Sequence, residues 1–218
     1  MKEFLITSSI LFLLFSCKEN YTPLPKLGDI DVEYSAVNGK EVTDTVFPKM
    51  IDFMYLNQDS VLVHSKQMKD KIWVADFFFT SCPTICPKMT AQMNRLNKNL
   101  TDLSDQIQFM SFSINPKKDS PSVLRKYIKK KGVTAINWYF FTGDEAKTHE
   151  LGIKHFKLFA GQDEASAGGY AHSPAFTLVD KEGYVRGVYI GTDPDEVDRM
   201  QKDIRLLLKH EYGIDRSK

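Results

Sequence analysis

Ile72 to Phe79, IWVADFFF, is a near-continuous apolar run of strand length, the pattern of a strand covered on both faces. Met89, Met93, Leu96 and Leu100 then recur at helical spacing, which predicts a helix directly after it. IQFMSFSI (107–114) is the next predicted strand. DSPSVLRKYIKKKG (119–132) reads as a helix with Asp119 or Ser120 as N-cap, a proline in its first turn and Gly132 as its stop. NWYFFTG (137–143) predicts a third strand and DEAKTHELGIKHF (144–156) another helix. AFTLVD and YVRGVYIG, joined by KEG, form an antiparallel hairpin. The last helix opens at DPDE, where Asp193 as N-cap, Pro194 at the first position and Glu196 at the third predict a capping box; Val197, Met200, Ile204, Leu207 and Leu208 are its apolar face.

Strand and helix alternate three times before a hairpin and a final helix. This order implies an α/β, three-layer sandwich with a mainly parallel, mixed sheet and an antiparallel pair at one end. FMYLNQDSV (53–61) reads as an added N-terminal β-hairpin, and the whole pattern as thioredoxin-like.

The chain starts on a different pattern. Lys2 precedes an apolar run from Ile10 to Phe15, far short of the about 20 residues a spanning helix needs. A charged start, an apolar middle and a small residue before Cys17 describe an export signal over residues 1–16. Leu14-Phe15-Ser16-Cys17 resembles the lipobox of bacterial lipoproteins, in which the cysteine is acylated and becomes the new N-terminus. Residues 17–44 then read as lipidated Cys17 and a polar, proline-bearing tether, and residues 45–218 as one domain with a sizeable core. With 29 basic and 28 acidic side chains, net charge is +1, so no global field points to nucleic acid. The expected setting is the cell envelope, lipid-anchored and facing the periplasm.

Of three cysteines, only Cys82 and Cys86 remain if Cys17 carries lipid. In an oxidising compartment that pair is maintained as a dithiol, oxidised or metallated. Pro87 is well placed in the first turn of a helix, so Cys86 falls at or near the N-cap, where backbone N–H groups and the helix dipole favour thiolate. A structural disulfide would close only a small loop, which constrains the unfolded chain little. A simple dithiol reductase would have CxxC rather than CxxxC spacing. A metal needs a further donor, and His172 supplies it best. It ends the glycine-rich stretch GQDEASAGGYAHSP (161–174), immediately before the AFTLVD strand, with Pro174 where a thioredoxin-like fold holds a cis-proline loop facing the first cysteine. His64, His149, His155 and His210 read as surface or core residues. Two thiolates and an imidazole suit Cu(I), with room for one more ligand on Cu(II); zinc takes such donors but prefers four.

FFFTSCPTICP, SINPKKDSP and AHSPAFTLVD together resemble the Sco/SenC family of copper-binding thioredoxin-like proteins, from about Tyr55 to residue 210. The resemblance implies copper ligation by Cys82, Cys86 and His172, with Cys82 and Cys86 as a redox-active dithiol. It implies delivery of copper to the CuA centre of cytochrome c oxidase, or reduction of that centre's cysteines. The expected partners are the oxidase subunit carrying CuA and other copper chaperones or thioredoxin-like reductases. Two positions depart from the family pattern. Asn115 stands for the first acid of DPxxD, and Ala171 for an aspartate often found before the histidine, where it would support the imidazole.

Overall fold

The computed structural model describes residues 21–37, 40–166 and 168–216. The predicted export signal and Cys17 lie outside them. Among the described residues, eleven strands and four α-helices follow in the order β1 (Asp31–Val37), β2 (Lys40–Val46), β3 (Met54–Asn57), β4 (Leu62–His64), β5 (Ile72–Phe78), α1 (Cys86–Asn99), β6 (Ile107–Ser113), α2 (Pro121–Lys130), β7 (Trp138–Thr142), α3 (Glu145–Glu150), β8 (Ala160–Gln162), β9 (Tyr170–His172), β10 (Ala175–Val179), β11 (Val185–Ile190) and α4 (Pro194–Tyr212).

Seven strands form one mixed sheet in the order β11-β10-β5-β6-β7-β3-β4. The three parallel strands β5, β6 and β7 sit at its centre, with antiparallel additions at both edges. Every residue of β5 and β6 is buried, as their unbroken apolar runs require. Alternation sends successive side chains to opposite faces. Phe77 stacks on Phe112 and meets Phe156 beside α3, whereas Phe78 packs against Tyr127 of α2 and Phe140. Helices α1, α2 and α4 cover one face and α3 the other, which is the predicted three-layer sandwich. Among the described residues, no helix is long and apolar enough to cross a membrane.

Several details differ from expectation. The added hairpin at 53–61 exists as β3–β4 and joins the main sheet through β7. A second hairpin, β1–β2, forms a separate two-stranded ribbon over part of the segment read as a tether. From Tyr21 the chain is docked: Tyr21 bonds Glu211, Arg186 holds the Leu24 carbonyl, and Leu27 pairs with Val185. The predicted helix at 144–156 is α3 followed by a π-helical turn over Leu151–His155. Asp193 caps α4 by accepting from the Asp195 N–H, but Glu196 turns to Arg199 and does not complete the box. Ser120 is the N-cap of α2, because the Asp119 carboxylate is committed elsewhere.

Candidate metal centre

The C-terminal ends of β5 and β6, the start of α1 and the small β8–β9 ribbon meet at one pole of the sheet. Cys86 is the first residue of α1, after Ile85 as N-cap and before Pro87. Cys82 lies in the preceding loop, its N–H donating to the Phe79 carbonyl at 3.2 Å. His172 ends β9, a short strand inside the glycine-rich stretch 161–174.

One ligand atom from each of Cys82, Cys86 and His172 lies within 4.8 Å of the other two. Cys86 Sγ is 3.0 Å from His172 Nε2. The other ring nitrogen, Nδ1, lies 3.1 Å from the Ser173 carbonyl, which can only accept; Nδ1 therefore donates to it and Nε2 is turned to the sulfurs. This carbonyl does the orienting work that a carboxylate at position 171 would do, so Ala171 does not leave the ring without support. Phe79 meets the imidazole edge to face at 6.1 Å, and His172 is only 8% exposed. Ser173–Pro174 is trans, as are all peptide bonds among the described residues, which corrects the expected cis-proline loop. The Pro174 carbonyl instead accepts from Gly191 N at 2.7 Å, fixing the start of β10 beside the end of β11.

Thiolate character settles on the other sulfur from the one expected. A hydrogen bond from Cys86 draws the Cys82 thiol down to about 3 against its burial, with help from His172 and the backbone N–H groups of Cys86 and Thr84. The same bond to Cys82, then burial, pushes the Cys86 thiol far above the ordinary range. The amides at the helix start thus serve Cys82, which sits across from them, while Cys86 lies too deep to be solvated as an anion. One proton held between two sulfurs leaves Cys82 as the nucleophile. Both thiols are free. Cys82 and His172 border a small open cavity of about 150 Å³, together with Phe79, Thr84, Ile85 and Tyr170.

Two buried carboxylates lie near the sulfurs, Asp119, expected only as a possible helix cap, and Asp76, which carries no expectation from sequence. Asp119 accepts from the Thr80 N–H at 3.0 Å, from the Thr80 hydroxyl and from the Ser113 hydroxyl at 2.6 Å, so it pins the turn leading to Cys82. Asn115 contributes through its backbone, its N–H on Ser113 and its carbonyl receiving Lys118 and Asp119, which explains how an amide is tolerated there. Asp76 is buried in β5 with Oδ1 lacking a hydrogen bond, and burial raises its carboxyl to about 6. Its signal was a lone acid inside an apolar run. Gly168, at φ +93, lets the loop before β9 close over the site: a Cβ there would stand 2.8 Å from the Phe79 ring. The other histidines behave as expected: His64 caps a 3-10 turn, His149 bonds the Ile114 carbonyl, His155 is half-buried and His210 stacks on Tyr21.

Comparison with known proteins agrees with this geometry. The SCO1/SenC family model matches residues 43–209. The SCO1 protein homolog of Bacillus subtilis is 32% identical over 175 residues, covering 78% of this chain and 88% of its own. A SCO1/SenC family lipoprotein from Bacillus anthracis superposes with TM-score 0.65 at 33% identity, over 72% of this chain and 94% of that one. The copper-bound ScoI of Bradyrhizobium japonicum, at 19% identity and TM-score 0.59 over 71% and 98%, shares the fold. A thioredoxin-like sandwich carrying a Cys-Cys-His group at the start of its first core helix, matched over most of its length by that model and these relatives, belongs to the SCO1/SenC family.

Proposed function

We propose that this protein is a lipid-anchored copper metallochaperone of the cell envelope, facing the periplasm. It binds copper through Cys82, Cys86 and His172 and supports assembly of the CuA centre of cytochrome c oxidase. The carrying observation is the convergence of two sulfurs and a correctly protonated imidazole within 4.8 Å. Soft thiolates with one imidazole favour Cu(I), and the open side of the cavity leaves room for a further ligand on Cu(II). The same opening admits a partner that takes the metal. BsSco, 33% identical to this chain, is described as a member of the Sco family of cytochrome c oxidase assembly proteins, which supports the acceptor named here. The anchor is acylated Cys17, in line with the lipoprotein nature of the Bacillus anthracis relative.

Copper titration and absorption spectroscopy of the soluble domain test the site. His172→Ala should weaken binding sharply and change the sulfur-to-copper absorption; unchanged affinity would remove His172 from the ligand set. Deleting the gene should lower the amount of assembled CuA centre, with wild type but not His172→Ala restoring it.

The polarised sulfur pair favours a second reading, thiol-disulfide exchange with a partner such as the oxidase subunit or a thioredoxin-like protein. Cys82 thiolate attacks a partner disulfide and displaces one partner thiolate. Cys86 gives up its proton to that thiolate and attacks the mixed disulfide, leaving Cys82–Cys86 oxidised and the partner reduced by two electrons. Turnover that survives His172→Ala but not Cys82→Ala would select this reading over copper transfer.

A further inference from the structure

The end of the domain opposite the sulfurs is built to receive the N-terminal segment. Tyr21 stacks on His210 at 4.4 Å and its hydroxyl donates to Glu211 at 2.7 Å. Arg186 bonds the Leu24 carbonyl through Nε and Nη2, and spans to Asp180 and Glu211. Leu27 N donates to the Val185 carbonyl at 2.8 Å. Residues 21–27 are therefore fixed beside the C-terminal end of α4.

Contacts between α1 and α4 give the direction. Arg95 pairs with Asp198, Asn99 bonds Gln201, and Arg205 bonds Asp102 just beyond α1. The two helices run parallel, so the end of α4 lies past the end of α1, and Cys86 lies at the far start of α1. At 1.5 Å per residue, the path from Cys86 along α1 to Arg95 and then along α4 to Glu211 measures on the order of 30 Å. From Cys17 to Tyr21 is four residue steps, which reach at most about 14 Å whatever their conformation.

We propose that the pole formed by residues 21–27, the 180–184 turn and the end of α4 rests against a phospholipid headgroup layer, holding Cys82, Cys86 and His172 at the opposite pole, pointing away from the membrane. This deepens the functional reading above and rests on Cys17 being the lipid anchor. The surface fits that neighbour. Lys26 and Lys49 lie 3.7 and 4.8 Å from the centre of the Tyr184 ring, and Lys181 lies 5.2 Å from that of Tyr212. The half-buried Tyr184 ring with its two lysine tips is suited to a headgroup layer, where an apolar body and a cationic end are both satisfied, and exposed Glu182 stands beside it in the turn. Copper would then be presented to an acceptor site standing well above the lipid rather than at its surface.

The test uses the full chain purified from bacterial membranes and reconstituted in phosphatidylethanolamine–phosphatidylglycerol vesicles whose headgroups carry an energy-transfer acceptor. A fluorescent amino acid is placed at exposed position 182, in the turn, or at exposed position 88, in the first turn of α1. Copper binding by both labelled proteins shows that they are folded. Transfer from position 182 should exceed that from 88 about threefold or more, given a separation of the poles on the order of 30 Å. Equal or reversed transfer from membrane-bound protein would overturn the orientation while leaving the anchor intact. Cys17→Ser should release the protein from the membrane fraction; if it stays bound, or if wild type is never found there, the anchor reading falls and the orientation with it.

Discussion

The two poles of this domain handle buried charge in opposite ways. At the docked end, Arg186, 4% exposed at its side chain, is matched by Asp180 and Glu211 and by the Leu24 carbonyl. At the sulfur end, Asp76 and Asp119 are equally buried, but the partners of Asp119 are neutral hydroxyls and an amide, and one oxygen of Asp76 has none. The docked end is a closed electrostatic unit. Among the described residues the other end buries no lysine or arginine beside its thiolate and carboxylates. Buried charge is paired at the first pole and left in electrostatic tension at the second.

Breaking the closed unit should give the largest effect. Arg186→Ala leaves Asp180 buried without a cation, frees the Leu24 carbonyl and leaves Glu211 with only the Tyr21 hydroxyl. The expected loss is about 3–5 kcal/mol in chemical denaturation, the range for removing one member of a buried ion pair. Copper affinity of the fraction that remains folded should be unchanged, because the site lies at the other pole. A loss below about 1 kcal/mol would mean that the triad behaves as a surface pair.

Relieving the tension should have the opposite sign and depend on pH. Burial raises the Asp76 carboxyl from 3.8 to about 6. Below the lower value it is protonated in both states and costs nothing; as pH rises towards the upper value, the unfolded chain ionises first and the folded form loses stability relative to it. The difference approaches about 3 kcal/mol above pH 6, at about 1.4 kcal/mol per pKa unit. Asp76→Asn should therefore gain on wild type between about pH 4 and pH 6 and keep that gain at neutral pH. Denaturation of both proteins across this range checks it, and a difference that stays constant with pH would refute it.

How much of this was legible beforehand follows the same division. Core strands β5 and β6 and the apolar faces of α1 and α4 were readable because each carries its burial in a local period. Cys82, Cys86 and His172 were readable because few residue types bind soft metals and all three flank strong structural signals. What the sequence reading lacked was long-range pairing. Nothing local says that Asp119 serves Thr80 rather than capping α2, or that Arg186 reaches back to Leu24 across 162 positions. The β1–β2 ribbon had a readable cue, Asn38-Gly39 between β-prone runs, which its polar composition masked. Which sulfur holds the proton could not be read at all, since it depends on depth rather than on position in the helix.

A smaller effect is expected at the loop over the site. Gly168→Ala places a side chain at φ +93 and drives its Cβ into the Phe79 ring. The backbone conformation costs of order 1–3 kcal/mol, felt locally because the loop can open. Hydrogen exchange around Tyr170 and His172 should quicken and copper affinity should fall several-fold, with global stability nearly unchanged. Unaltered exchange and affinity would show that the loop does not position β9.

The smallest predicted change is one that an ordinary thiol would show strongly. With Cys82 held at about 3 by the Cys86 hydrogen bond, alkylation of the reduced, metal-free domain by iodoacetamide should be nearly flat between pH 5 and pH 8. A thiol titrating at about 8.5 would instead gain almost tenfold in rate per pH unit over the same range. Cys86→Ala removes the principal donor, so the Cys82 profile should move up and regain its slope, whereas Cys86→Ser retains a hydroxyl donor and should recover part of the flat profile. The sign follows from linkage: a depressed folded value favours the folded state above the ordinary thiol range and loses that contribution as pH falls towards 3, while the raised Cys86 value opposes it at high pH. A steep profile in the wild type would place the shared proton on Cys82, and with it reverse the roles assigned to the two sulfurs.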